Sequence, residues 1–379
     1  MTNAGAGALF DTVLTDALLA DGSRVSIGIT AGRIAAIDAV LPAGREQLSV
    51  GGSLVLPGLV DAHVHLAGGA TTDGSIPGAA DAEKTLRAGV TTVRDLGSTD
   101  NAGVALRGAI INGAVRGPRM IVAGAGIGAA GGACDQVFGQ QGRIATPEDA
   151  VRVVDEQAAA HVDVIKICTG GGVLPRAADA DIVELDEAMV RVIVEAARKH
   201  GLRVAAHAEG PRAIAAAIRG GAVSIEHGAL VDVDNIADLK RHGTVLVPTL
   251  YRIDFTLAQL PDGPRKAVVA EGRALAFSRV RAAVAAGVPI AMGTDATVIP
   301  HGDNARELGA LVEVGMTPAA AIRAATLDAA ALVAPQLGIG EIAPARQADL
   351  IGVRGDPLAD VAALRDVVFV MKDGAIVRE

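Results

Sequence analysis

With 379 residues, half of them hydrophobic and only 2% aromatic, the chain can bury a large core of small aliphatic side chains but offers little for aromatic stacking. Its formal charge of −9 disfavours nucleic acid or an anionic membrane as partner. Two cysteines are too few for a disulfide framework, and neither a charged-then-apolar leader nor a long uninterrupted apolar run is present, so the expectation is a soluble cytoplasmic protein acting on a small molecule.

From about Leu9 to Leu56 short β-like runs alternate with turns, and the stretches Ala348–Val353 and Val367–Val377 read the same way. Residues 1–56 and 345–379 are therefore expected to form one small β domain, split by residues 57–344. Within that insert, strand and helix patterns alternate. Strands are expected at Leu59–His65, Thr91–Asp95, Arg119–Ala123, Val162–Ile167, Arg203–His207, Ser224–His227, Val245–Thr249 and Ile290–Thr294. Helices are expected at Thr146–Ala160 and Asp186–His200, with an amphipathic pair at Asn304–Val314 and Pro318–Val333. The predicted fold class is α/β: a (β/α)8 TIM-like barrel, which takes about 250 residues, with a small β-sandwich built from both termini.

Polar residues recur at the ends of these strands. His63 and His65 close the first, and side chains at i and i+2 share a strand face. Lys166 lies on the fourth, His207 ends the fifth, His227 the sixth, and Asp295 follows the eighth. In a β/α barrel the carboxyl ends of all strands surround one mouth, so these residues converge there. Imidazole and carboxylate suit zinc and similar divalent ions. His63, His65 and Asp295 can hold one ion, and His207 and His227 a second. Lys166 fits this set only if CO₂ carboxylates its amine into an anionic bridge, a reaction that burial favours by keeping the amine neutral. Water between two such ions is acidified toward neutrality, with Asp295 placed to take its proton and pass it to a departing amine.

The combination Asp61-Ala-His-Val-His65, Lys166, His207, Ser224-Ile-Glu-His227 and Gly293-Thr-Asp295 resembles the amidohydrolase superfamily in its binuclear form with a carboxylated lysine. Gly89-Val-Thr-Thr-Val-Arg-Asp-Leu-Gly97, His301-Gly-Asp-Asn-Ala-Arg-Glu-Leu308 and Met316-Thr-Pro-Ala-Ala-Ala-Ile-Arg-Ala-Ala-Thr326 are similar to its imidazolonepropionase-related group, which includes metal-dependent dipeptidases of the Xaa-Pro and Xaa-Arg/Lys kind. The resemblance implies two divalent ions, zinc being the expected metal, a carboxylated Lys166, hydrolysis of a dipeptide or N-acyl amino acid, and a homo-oligomer. That group often carries Gly-Gly-His after the third strand and Ala-Tyr after the fifth-strand histidine. Here those places hold Ala133 and Glu209, so two substrate contacts have changed.

Weaker signals carry alternatives. His301 either contacts substrate or makes a structural hydrogen bond. Glu209 either lines the pocket, favouring a cationic or hydrogen-bond-donating substrate, or turns away to begin a helix. Arg94 and Asp95 are expected to form a buried ion pair, Glu226 to face away from His227, and Cys168 to be a small buried thiol. His161, His200 and His242 are expected in surface or capping roles. The same site could also open a cyclic amide or cleave a carbamate, urea or ester; a noncatalytic metal-stabilised binding protein is the rival of a different class.

Overall fold

The computed structural model describes residues 9–68, 76–171 and 181–378. Strands Thr12–Leu18, Arg24–Thr30, Arg33–Asp38 and Leu54–Pro57 pair with Leu350–Val353, Val367–Lys372 and Ala375–Arg378 from the other terminus, Glu46–Ser49 joining at Thr12–Leu18, to give one eight-stranded sheet. Alternation along these strands gives the sheet an apolar face on which Leu14, Ile27, Ile29, Ile34, Leu350 and Phe369 pack together. Its other face, through Leu54, Leu56, Ile351, Val353 and Val370, joins the main core.

Between the termini, parallel strands form two further sheets. Leu59–Val64, Val90–Asp95 and Arg119–Val122 make the first; Val164–Cys168, Arg203–Ala208, Ser224–His227 and Val245–Val247 make the second. Isolated parallel bridges join Ile127 to Ile167, Leu246 to Ile290, and Val64 to Ala296. The expected strand at Ile290–Thr294 is thus extended chain held by single bridges and by hydrogen bonds such as Ala62 N–H to the Met292 carbonyl. Strands buried on both faces explain the near-continuous apolar runs of the sequence.

Helix Pro147–Ala159 starts on a reciprocal cap between Thr146 and Asp149, and Glu187–Lys199 on the Asp186 side chain. The single helix expected over Pro318–Val333 is two, Pro318–Ala324 and Leu327–Val333. The Thr326 hydroxyl donates to the Ile322 carbonyl at 2.8 Å, competing with the helical ladder at the break.

Cys168 is not a thiol: it is disulfide-bonded to Cys134, 34 residues earlier. Sequence alone could not bring the loop after Arg119–Val122 against the next strand, and that proximity is what makes the pair. No helix among the described residues is long and apolar enough to cross a membrane.

Candidate metal centre

His63 is the penultimate residue of a fully buried strand, and its Nδ1 lies 2.9 Å from Glu226 Oε2. His65 Nδ1 lies 3.1 Å from the Gly97 carbonyl, and His227 Nδ1 2.7 Å from the Thr249 hydroxyl. Three rings are thus anchored through one nitrogen, leaving the other for the interior, as metal-bound histidines require. The Nε2 atoms of His63 and His65 each stand 3.5 Å from Asp295 Oδ1. His207 is held by a hydrogen bond with the Gly171 backbone, while its Nε2 is buried with no hydrogen-bond partner. An orphaned buried nitrogen is costly unless something coordinates it.

Ring centroids lie 5.0 Å apart for His63 and His227 and 4.6 Å for His207 and His227. Candidate ligand atoms of His63, His227 and Asp295 fall within 4.8 Å of one another, and so do those of His207, Glu209 and His227. These two groups contain His63, His207, His227 and Asp295, with His65 beside Asp295, but His227 stands between them and Glu209 joins one of them.

Burial, reinforced by the Lys166 charge, holds His63 well below its ordinary pKa, and burial with Lys166 and Arg252 takes His207 to about 3. Burial also lowers His227. All three are neutral near pH 7, the state in which imidazole ligates. Burial brings Lys166 down to about 8 against the attraction of Glu226 and Asp295, and the described residues give its amine no hydrogen bond. Burial pushes Asp295 up, yet its electrostatic interactions with His63, His65, Arg252 and Lys166 outweigh it and leave the carboxyl below its ordinary value. Neutral imidazoles, an anionic carboxylate and an unpartnered Nε2 fit a divalent ion.

The backbone is strained where these side chains emerge. His227, Thr249 and Asp295 all adopt left-handed conformations, with φ of 71°, 48° and 60°. Non-glycine residues there cost of order 1–3 kcal/mol each and collect at functional sites. Gly293 permits the close approach of this segment to the first strand, since a Cβ would meet Val247 Cγ1 at 2.4 Å and the His63 backbone nitrogen at 3.1 Å.

Several expectations are corrected. Glu226 does not face away from the centre: besides His63 it accepts from Arg94 Nη2 at 2.7 Å and from the Ser224 hydroxyl at 2.5 Å. The left-handed turn at His227 ends the pleat, so alternation fails at that step. Arg94 pairs with Glu226 rather than Asp95, because neighbours on a strand point to opposite faces. Asp95 instead accepts the backbone N–H groups of Leu66, Ala67 and Gly97.

Of the expected substrate contacts, Glu209 is buried and lies 2.6 Å from Arg252 Nη2; the following helix begins at Pro211 behind a Gly210 cap, so Glu209 does not start it. Ala133 begins helix Ala133–Phe138, its N–H shared by both oxygens of Glu184 at 2.9 and 3.0 Å. His301 belongs to neither ligand group; its Nε2 lies 3.4 Å from the Thr297 hydroxyl, and it makes a hydrogen bond with the His65 backbone.

Three polar groups escaped the sequence reading. Arg252 reaches Glu209, the Thr249 hydroxyl at 3.1 Å and Asp295 Oδ2 at 3.8 Å. Thr249 anchors His227. Asp61 accepts from the His63 N–H at 3.1 Å, the Thr294 hydroxyl at 2.6 Å and Asn304 Nδ2 at 2.8 Å, stapling the first strand to the segment that carries Asp295. Thr249 and Arg252 follow the seventh strand, the same place in the repeating unit as the histidines, which is the signal that could have found them.

A model of the amidohydrolase family matches residues 54–377. Ochratoxinase of Aspergillus niger is 35% identical over 237 residues, 60% of this chain and 49% of that protein, so the chain spans about half the length of this curated relative. An uncharacterised protein of Mycobacterium tuberculosis is 32% identical over 321 residues, 82% of each chain. The crystal structure of a Xaa-Pro dipeptidase with bound methionine superposes with a TM-score of 0.88 at 30% identity, covering 97% of this chain and 100% of that one.

Proposed function

This chain belongs to the amidohydrolase family, and on that premise we propose that it is a metal-dependent hydrolase cleaving the amide C–N bond of a dipeptide or an N-acyl amino acid. The observation that carries the reading is the clustering of His63, His65 and His227 with Asp295 and of His207 with His227, three rings with Nδ1 anchored and His207 with an orphaned Nε2. The similarity to a structure named Xaa-Pro dipeptidase supports the choice of substrate class. In this reading the two parallel sheets and their bridges close as a (β/α)8 barrel, and the eight-stranded sheet of the two termini curls over its own apolar face as a β-sandwich beside it. The working unit is taken as a homo-oligomer, which light scattering checks.

His63, His65, His207, His227 and Asp295 would hold two divalent ions, zinc by preference, with Lys166 carboxylated on its amine as the bridge. Bound there, the ions would supply Lewis acidity toward a carbonyl and acidify water. The remaining work falls to the chain. Asp295, kept ionised by its cationic surroundings, accepts the proton of the attacking water and delivers it to the leaving amine. The Arg94–Glu226 pair fixes the His63 ring, and Thr249 fixes that of His227. Arg252 braces Glu209 and faces Asp295, so the Glu209 carboxylate is already satisfied by a cation and does not by itself demand a cationic substrate.

The test is hydrolysis of a dipeptide and N-acyl amino acid library by zinc-loaded protein, with Asp295→Asn alongside. Turnover of at least one substrate should fall by about 10² to 10⁴ in the variant, the usual worth of general acid–base catalysis. No turnover across amides, carbamates, ureas and esters would favour a metal-stabilised binding protein.

A further inference from the structure

Away from the histidine cluster, a cavity of about 780 Å³ opens where helix Ala79–Arg87 ends, helix Arg306–Glu313 begins, and the segments Val361–Arg365 and Ala375–Arg378 meet them. In a chain of net charge −9 its wall is conspicuously basic: Lys84, Arg87, Arg306, Arg365 and Arg378 line it, with His301. Only two acids share the lining, and both are engaged. Asp303 pairs with Arg306 at 3.2 Å, and Asp366 with Arg354 at 3.0 Å. Lys84 is taken by Asp81 at 2.9 Å.

Arg87, Arg365 and Arg378 have no carboxylate partner among the described residues. Arg365 makes a 3.3 Å hydrogen bond to the Ala362 carbonyl, and Arg378 one of 3.3 Å to the Arg87 carbonyl. Neither bond neutralises charge. Arg87, Arg365 and Arg378 thus line one cavity without an ion-pair partner among the described residues, and like charges at one site repel one another. His301 Nδ1 is likewise buried without a hydrogen bond. Guanidinium forks match oxyanions bidentately, and the repulsion is relieved most by an anion carrying more than one charge.

We propose that this cavity is a binding site for a small multivalent oxyanion, of which a phosphate ester is the type, distinct from the histidine cluster. The proposal does not rest on the hydrolase reading. One wall of the site does approach that cluster: His301 Nε2 contacts the Thr297 hydroxyl, which donates to the His65 carbonyl at 2.5 Å. His301 therefore lines the proposed anion site while also hydrogen-bonding the backbone of His65.

The test is calorimetric titration of the metal-loaded protein with naphthalene trisulfonate at low ionic strength, a probe whose sulfonates compete poorly for divalent ions. Monovalent benzenesulfonate serves as the valence control. The trisulfonate should bind at one site per chain, and Arg87→Gln/Arg365→Gln/Arg378→Gln should weaken it by at least about tenfold. An Arg198→Gln/Lys199→Gln variant, removing exposed charge elsewhere, should bind like the parent. Absence of binding, equal weakening in the two variants, or equal affinity for benzenesulfonate would overturn the proposal.

Discussion

Thr249 is a β-branched residue held at a φ of 48°, and its hydroxyl is the sole anchor of His227 Nδ1 among the described residues while also accepting from Arg252. Strain at such a position persists only where the surroundings impose it. Thr249→Val keeps the branch and volume but removes the hydroxyl. Partners of this kind are worth about 10–100-fold in metal affinity or activity, so a chelator competition titration should show metal retention weakened by that factor with the fold unchanged; parental retention would show that Thr249 does not orient the ring. Lys166→Ala removes the proposed bridge, and metal content and turnover should both collapse. A small carboxylic acid added to that variant should restore part of each, whereas full activity without it would remove Lys166 from the centre.

At the scale of elements, the Cys134–Cys168 bridge ties helix Ala133–Phe138 to the strand that bears Lys166. Phe138 on that helix lies 5.9 Å from the His65 ring, so the bridge also holds a wall beside the candidate centre. Closing a loop of this length is worth roughly 2–4 kcal/mol. Cys134→Ser/Cys168→Ser should lose about that much in urea unfolding, and an unchanged midpoint would mean the bridge adds nothing to stability.

Strand ends and helix starts were legible in the chain because periodicity is local: Ser224–His227 is a strand as read, and the helices expected from Thr146 and Asp186 begin there, on caps those two side chains supply. His63, His65, His207, His227 and Asp295 could be listed for the same reason, each ending an apolar run. What the sequence withheld depends on which segments meet in space. The partners Glu226 for Arg94 and Arg252 for Glu209 lie on different strands or helices, more than forty residues apart. The disulfide is another such meeting. The two-helix break at Thr326 was hidden for a different reason, a side-chain hydroxyl that competes with its own helix.

For the molecule as a whole, Arg119 on the third parallel strand is the clamp to the terminal sheet. It donates to Asp349 at 2.6 Å and to Thr92 at 2.9 Å, and it also pairs with Asp373. Asp349 is only 3% exposed, so removing the guanidinium strands a buried carboxylate. Breaking such a pair from one side typically costs about 3–5 kcal/mol. Arg119→Met should lower the unfolding free energy by roughly 3 kcal/mol, the lower end of that range because Asp349 retains the Asp373 backbone N–H at 2.7 Å. A change near zero would mean that the apolar contacts of the sheet alone hold the two regions together.

Metal dependence is the claim on which the functional account turns, and elemental analysis of protein purified without chelator and then loaded with zinc and bicarbonate reads it directly. The account predicts two divalent ions per chain, held by His63, His65, His207, His227 and Asp295 with Lys166 between them. A stoichiometry that stays at one, or at none, would contradict it.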